Sequence, residues 1–180
     1  DIYMINLETG ERRQIKEKSP SYMRFSPKGK YTYWYQDQDS SWYTRSMADG
    51  KEYRLTTPQT FAAWDEDNDV PDYPSPYGIA GWTDDDQSIL IKDRYDIWKF
   101  DPIAASSPVN LTVNGRKDQI TYSLIQLDRE KRAYNTSEAQ YLTGFNERTK
   151  GSGYYTTRLN KPVAPKALLA GNFKLAALAK

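Results

Sequence analysis

Alternating aromatic and polar residues mark the clearest part of the chain, between residues 30 and 58. The stretches KYTYWYQD, SWYTRSM and EYRLTTP each alternate with a period of two, and short polar segments separate them. Such a period places alternate side chains on one face of a strand, so these stretches predict three strands in an antiparallel meander. Before them, FSPKGK has Pro27 second and Gly29 fourth in a four-residue segment, which predicts a type I turn.

A related hairpin pattern returns along the chain. The segments DIYMINLETG, SWYTRSMADG, DIWKFDP and GYYTTRLNKP carry an aromatic residue at a corresponding position, namely Tyr3, Tyr43, Trp98 and Tyr155. Their spacings of 40, 55 and 57 residues predict a repeated unit. Short meanders that recur in this way favour the blades of a β-propeller over an immunoglobulin-like sandwich, which gives no reason for the recurrence.

The repeats predict an all-β chain with about three antiparallel blades of an incomplete propeller ring. Residues 1–15 form the end of one blade, residues 22–57, 81–113 and 118–170 form one blade each, and residues 58–80 form an acidic, proline-rich insertion. Propellers usually close with about 4 to 8 blades. We therefore expect the 180 residues to be a piece of a larger protein. Made alone, this piece is expected to be marginally stable or to self-associate, because its end blades are uncovered. The final stretch, FKLAALAK, predicts a short helix or a frayed strand.

Composition restricts the chemistry that the chain can perform. The 25 Lys and Arg residues nearly balance the 24 Asp and Glu residues without a basic block, which argues against a nucleic-acid partner. No apolar run approaches the length of a membrane-spanning helix. Histidine and cysteine are absent, which excludes a Ser-His-Asp relay, a Cys-His pair, a disulfide and a histidine-ligated zinc site. The sequence predicts no cofactor and no catalytic residue.

Several segments together resemble the propeller of large bacterial serine peptidases of the prolyl oligopeptidase (S9) family. They are DIYMINLETGERRQI, WDEDNDVPDYPSPYGIAGWTDDDQSILIKDRYDIWKFDP and NERTKGSGYYTTRL. The FSPKGK segment is similar to the WSPDGK phrase of the WD40-like repeats in TolB-type and peptidase propellers, with Lys28 where Asp is usual. In that family the propeller precedes an α/β-hydrolase domain, which carries the catalytic serine, aspartate and histidine.

The resemblance implies a non-catalytic role, because the chain has neither a G-x-S-x-G elbow nor a histidine. On this interpretation it gates and scaffolds the access of peptide substrates to the hydrolase domain of the same protein, in the periplasm or medium of a bacterium. The alternative is a TolB-like propeller that binds a protein or ligand and has no peptidase activity. A carbohydrate-binding β-domain is a third class, but it needs an exposed aromatic platform, and packing between blades is the favoured role of the YTYWY run.

The candidate substrate-binding residues lie in the segments DEDNDVPD and KDRYDIW. They are Asp65, Glu66, Asp67, Arg94 and Tyr95. Dipeptidyl peptidases of the S9 family hold the free amine of a substrate with a pair of glutamates, since carboxylates bind an ammonium by charge-assisted hydrogen bonds. The present chain has no adjacent Glu-Glu pair. Arg94 and Tyr95 could instead be structural residues that flank a hairpin.

Two acidic segments have simpler interpretations. Asp65, Asp67 and Asp69 alternate like the first ligands of a calcium loop, but Val70 replaces the glycine needed at the sixth position and Pro76 the glutamate at the twelfth. A solvated loop without a metal is therefore favoured. The aspartates of TDDDQ, at positions 84–86, predict a plain turn equivalent to SPKG.

Overall fold

The computed structural model describes residues 1–17, 22–128, 130–173 and 175. Within these residues it contains four antiparallel sheets and almost no helix, which confirms the predicted all-β class. The helical elements are the single turn α1 (Gly115–Asp118) and two 3-10 turns, Asp37–Asp39 and Asp84–Asp86. In the part of the chain so described, no helix is long and apolar enough to cross a membrane.

The first sheet is a two-stranded hairpin, and the other three sheets are four-stranded meanders of strands consecutive in sequence. The hairpin consists of β1 (Ile2–Ile5) and β2 (Arg12–Lys16). The second sheet consists of β3 (Arg24–Phe25), β4 (Tyr31–Gln36), β5 (Ser41–Ser46) and β6 (Glu52–Arg54). The third consists of β7 (Ile79–Trp82), β8 (Ile89–Lys92), β9 (Ile97–Phe100) and β10 (Val109–Asn110). The fourth consists of β11 (Ile120–Leu124), β12 (Gln140–Asn146), β13 (Ser152–Thr157) and β14 (Lys166–Gly171).

The recurring aromatic residues occupy the same strand of successive sheets. Tyr43, Trp98 and Tyr155 each lie in the third strand of a four-stranded sheet and pair with residues of the second and fourth strands. Tyr3 lies in β1, the first strand of the hairpin. The repeat seen in the sequence therefore corresponds to a repeated position in the meander.

The turns between the first and second strands of the second and third sheets share their hydrogen bonds. In FSPKGK the amide of Tyr31 donates to Ser26 Oγ at 3.0 Å, while the amide of Ser26 donates to the Tyr31 carbonyl at 2.9 Å. Thr83 and Ser88 make the same two bonds in the third sheet, each at 3.0 Å. The Gly29 amide donates to the Ser26 carbonyl at 2.9 Å, which confirms the predicted turn at Ser26.

The aspartates of TDDDQ form more than the plain turn that the sequence predicts. Asp86 is 2% exposed, and its carboxylate accepts hydrogen bonds from Ser26 Oγ at 2.6 Å and from the amides of Lys28 and Lys30 at 3.1 and 3.2 Å. A buried carboxylate needs such donors in place of water. Asp86 therefore joins the first turn of the third sheet to the first turn of the second, while Asp85 stays at the surface.

Two apolar clusters lie between neighbouring sheets. The first fills the space between the second and third sheets, and its buried members are Tyr33, Tyr35, Trp42, Phe61, Ala63, Trp82, Ile89, Ile91 and Phe100. The second lies between the third and fourth sheets, and its buried members are Leu90, Ile97, Leu111, Tyr122, Tyr134, Leu142, Tyr155 and Leu159. Strand β8 thus buries both faces, and each fully buried aliphatic side chain contributes about 1.5–3 kcal/mol. The aromatic residues of YTYWY pack between sheets instead of forming an exposed platform.

The segment between β6 and β7 carries no strand, and its only pairing among the described residues is an isolated bridge between Trp64 and Pro76. Strand β7 begins at Ile79, so the strandless segment ends two residues earlier than the predicted insertion. Its base is fixed because Phe61 and Ala63 are buried in the first cluster. The predicted helix or frayed strand at residues 173–180 lies, apart from residues 173 and 175, outside the described residues.

Candidate functional site

The acidic segment folds back on itself and rises from a buried base. The Tyr77 amide donates to the carbonyl of Ala63 at 2.9 Å, and the Asp65 amide donates to the carbonyl of Ser75 at 2.8 Å. The Glu66 amide donates to the Tyr77 hydroxyl at 2.8 Å. These bonds hold the two arms of the segment together, so that residues 65–72 form its exposed tip.

Four of the five predicted site residues meet in one cluster, which we call the arginine clasp: Glu66, Asp67, Arg94, Tyr95, Arg116 and Glu147. Arg94 donates to Asp67 at 2.7 Å and, through two nitrogens, to Glu147 at 3.2 and 3.1 Å. The Tyr95 hydroxyl donates to Glu147 at 2.8 Å. The fifth predicted residue, Asp65, stays apart and accepts a hydrogen bond from the Asp67 amide.

Arg116 closes the other side of the clasp. Its guanidinium donates to both carboxylate oxygens of Glu66, at 3.3 and 2.9 Å, and lies 3.6 Å from a carboxylate oxygen of Asp93. The Tyr95 ring lies close to both arginines, with the guanidinium carbons of Arg94 and Arg116 at 5.3 and 5.2 Å from its centroid. Cation–π contacts of this kind add to the ion pairs. The clasp thus joins the acidic segment to the third and fourth sheets.

Two buried aspartates shape the backbone that presents Arg94 and Tyr95. Asp93 accepts hydrogen bonds from the amides of Tyr95 and Asp96 at 2.8 and 2.6 Å and from Trp98 Nε1 at 3.2 Å. Asp96 accepts from Thr112 Oγ1 at 2.6 Å and from the amides of Gly115 and Arg116 at 2.9 and 3.1 Å. Asp93 therefore fixes the β8–β9 turn, and Asp96 fixes the start of α1.

Position 115 requires glycine, because its Cα lies close to the Asp96 carboxylate and to the carbonyl of Ile120. A Cβ atom at position 115 would lie 2.6 Å from Asp96 Oδ1 and 2.9 Å from the carbonyl oxygen of Ile120. Any side chain would therefore displace the Asp96 carboxylate, which holds the amide of Arg116. The absence of a side chain at Gly115 thus allows Arg116 to reach the clasp.

The charges of the clasp shift the pKa values of its members. Hydrogen bonds from Arg94 to Asp67 and Glu147 raise the pKa of the Arg94 guanidinium, and the pair with Glu66 raises that of Arg116. Burial opposes ionisation of Glu147, but the bonds from Arg94 and Tyr95 outweigh it, so that the pKa of Glu147 falls below its usual value. Burial raises the pKa of Asp93.

The arrangement is suited to holding charged groups. Four carboxylates, those of Glu66, Asp67, Asp93 and Glu147, contact two guanidiniums. Asp67 is the most exposed of them, at 67% of its side chain. Within residues 1–17, 22–128, 130–173 and 175, no three carboxylates are grouped to hold a metal ion. Asp67, one of the three alternating aspartates that are spaced like calcium ligands, pairs with Arg94.

Sequence reasoning missed Arg116, Glu147 and Asp93. Arg116 is 50 residues from its partner Glu66, and Glu147 is 53 residues from its partner Arg94. No local sequence pattern links positions so far apart. Asp93 was not predicted, because nothing in the sequence distinguishes it from a surface aspartate beside Arg94 and Tyr95.

The chain matches no protein-family model, and no curated protein matches it.

Proposed function

We propose that the chain is the non-catalytic propeller portion of an S9-like serine peptidase, and that its sheets are successive blades. The support is that each four-stranded sheet is a meander of consecutive strands and that the third sheet packs against its neighbours on both faces. Blades of a propeller are arranged in this way. A sandwich instead distributes its strands between two sheets by long connections.

The observation that carries the functional part of the proposal is the position of Arg94, which binds Asp67 and Glu147 at once. It fixes an acidic segment at one place beside the third and fourth sheets. Because carboxylates outnumber guanidiniums there, the clasp attracts the ammonium of a peptide amino terminus. In this role the chain gates peptide access, while a hydrolase domain outside the 180 residues performs the hydrolysis. Export to the periplasm or medium of a bacterium belongs to the same proposal.

The purified chain tests the non-catalytic part of the proposal. We expect no turnover of aminoacyl or prolyl reporter substrates above that of a heat-inactivated control, because the chain has no histidine to activate a serine. Turnover that copurifies with the chain and is lost on unfolding would contradict this expectation.

The gene on both sides of the coding segment tests the peptidase part. We expect an in-frame region with a G-x-S-x-G elbow followed by an aspartate and a histidine. A reading frame without such a region would overturn the peptidase proposal and favour the TolB-like binding propeller.

A further inference from the structure

A cleft separate from the arginine clasp lies between the second and third sheets. It has a volume of about 540 Å³, within the range of about 300–1,000 Å³ typical of small-ligand sites. We call it the tyrosine cleft, and its lining residues are Tyr22, Arg24, Tyr33, Tyr35, Asp37, Trp42, Pro76, Gly78 and Ile79. The strands β4 and β5 provide one wall, and the end of the strandless segment with the start of β7 provides the other.

The floor of the cleft is aromatic, and only the edges of its rings are exposed. Tyr33, Tyr35 and Trp42 are 8%, 5% and 8% exposed, and their rings contact one another with Tyr33–Trp42 and Tyr35–Trp42 centroid distances of 6.4 and 5.4 Å. Burial raises the pKa of Tyr33 and of Tyr35, so both phenols stay uncharged at neutral pH. Such a floor accepts apolar, aromatic or prolyl side chains of a ligand.

Opposite charges lie along the cleft. Arg24 is exposed in β3, and Asp37 is half-buried after the end of β4. Among the described residues, neither side chain has a partner of opposite charge within ion-pair distance. The guanidinium of Arg24 lies near the Tyr33 phenol, whose pKa it lowers against the effect of burial. Within the described part of the chain, the cleft therefore offers one cation, which contacts a neutral phenol, and one anion, and neither of them is in an ion pair.

The strand register sets the distance between these charges. Arg24 is paired with Tyr33 across β3 and β4, and Asp37 follows Tyr33 by four residues. From Tyr33 to Gln36, the last residue of β4, the strand advances about 10 Å at about 3.3 Å per residue, and Asp37 follows directly. An extended peptide of about three or four residues covers the same length between its terminal groups.

We propose that the tyrosine cleft binds a short peptide with free termini, its carboxylate on Arg24, its ammonium on Asp37 and its side chains on Tyr33, Tyr35 and Trp42. Arg24 suits a carboxylate because the guanidinium presents paired donors to two oxygens. Asp37 suits an ammonium because a carboxylate accepts its N–H bonds. The cleft shares no lining residue with the arginine clasp, so this inference does not depend on the peptidase proposal.

Isothermal titration calorimetry of the full chain with the tetrapeptide Ala-Phe-Phe-Ala tests the inference. We expect binding of the unblocked peptide, and a loss of about tenfold in affinity on either N-acetylation or C-amidation, because each removes a charge-assisted hydrogen bond. Equal affinity for the free and the doubly blocked peptide, or no binding of the free peptide at millimolar concentration, would overturn the inference.

Two charge-neutral variants assign the ends of the peptide. We expect the Arg24→Gln protein to bind the free peptide about tenfold more weakly than the wild type does, and C-amidation of the peptide to cause no further loss. We expect the Asp37→Asn protein to show the same tenfold loss, with no further loss on N-acetylation. Lys117→Gln and Asp69→Asn, at exposed positions outside the cleft, are matched controls that retain full affinity. Both cleft residues lie outside the buried core, so circular dichroism spectra and melting curves like those of the wild type are expected and verify folding. Additive effects of amidation and Arg24→Gln would contradict the assigned orientation.

Discussion

Arg94 binds Glu147 through two nitrogens, at 3.2 and 3.1 Å, and so joins the β8–β9 turn of the third sheet to the β12–β13 turn of the fourth. The same guanidinium holds Asp67 of the acidic segment at 2.7 Å. One side chain thus connects three parts of the chain that are far apart in sequence. The stability and the position of the acidic segment depend on this arrangement.

Replacing Arg94 with Gln is expected to lower the free energy of unfolding by about 1 kcal/mol, since a bidentate pair is lost but about a quarter of each side chain is exposed to solvent. Urea denaturation measures the loss, and hydrogen exchange of residues 63–77 should become faster. Lys131→Gln is the control, because its pair with Glu138 is 3.9 Å long and more than half exposed. An Arg94→Gln protein with unchanged stability and exchange would show that the clasp does not hold the segment.

The lowered pKa of Glu147 predicts a contribution to stability that is lost in acid. A glutamate in the unfolded chain titrates near 4.5, and the folded state releases this proton more readily. The contribution is therefore complete above about pH 4.5 and disappears as the pH falls through the folded-state pKa. Unfolding free energies of the wild type and Glu147→Gln should converge as the pH falls.

The contribution of Asp93 to stability changes with pH in the opposite direction. Burial raises its pKa, so protonation in acid removes an unfavourable buried charge. Its contribution is present in both proteins and cancels in the comparison. A difference between the wild type and Glu147→Gln that stays constant from neutral pH into acid would contradict the role of the Glu147 carboxylate.

Substitution of Asp86 should lower the free energy of unfolding more than substitution of most other polar residues. Asp86→Ala removes the acceptor of the Lys28 and Lys30 amides and the short bond from Ser26 Oγ, so we expect the free energy of unfolding to fall by about 3 kcal/mol in chemical denaturation. Asp86→Asn should lose less, because it keeps one acceptor oxygen and tolerates the positive φ of 56° at this position. The exposed neighbour variant Asp84→Ala should stay within about 0.5 kcal/mol of the wild type. Equal effects at positions 84 and 86 would refute the anchoring role.

The raised pKa of Tyr122 predicts that the protein loses stability at alkaline pH. Burial raises its pKa to about 12, so its contribution is complete below the ordinary tyrosine pKa of 10.0 and is lost as the pH rises towards 12. Tyr122→Phe keeps the ring that packs edge-on against Tyr155 at 5.2 Å. The variant should therefore melt like the wild type near neutral pH and resist alkali better. Phenolate absorbance and circular dichroism, followed together, test this; identical alkaline transitions would contradict it.

Local patterns predicted much of the fold. Alternation located β4, β5 and β6, Pro27 and Gly29 located the first turn, and the prolines of the acidic segment excluded a strand there. The two-residue strand β3 was too short to produce a period of its own. The bonds of Asp86 to Ser26 connect positions 60 residues apart, and no pattern of residue types encodes such a contact.

The candidate site was predicted in part for the same reason. The acidic segment and the Arg94-Tyr95 pair were conspicuous because charged and aromatic residues interrupt a strand pattern. The contact between the segment and this pair could not be predicted, because it depends on the packing of the third sheet against the fourth. That packing also places Glu147 beside Arg94. Asp65 has the same residue type as Asp67 but bonds to its own turn, so composition alone could not separate the two.

Labelling of the native protein that contains this sequence tests the central proposal most directly. The protein is treated with a biotinylated fluorophosphonate, which reacts with activated serines, and the labelled peptide is identified by mass spectrometry. The peptidase proposal predicts one labelled serine, in a G-x-S-x-G segment outside residues 1–180. A native protein without a labelled serine, or with the label on a serine within these 180 residues, would contradict it.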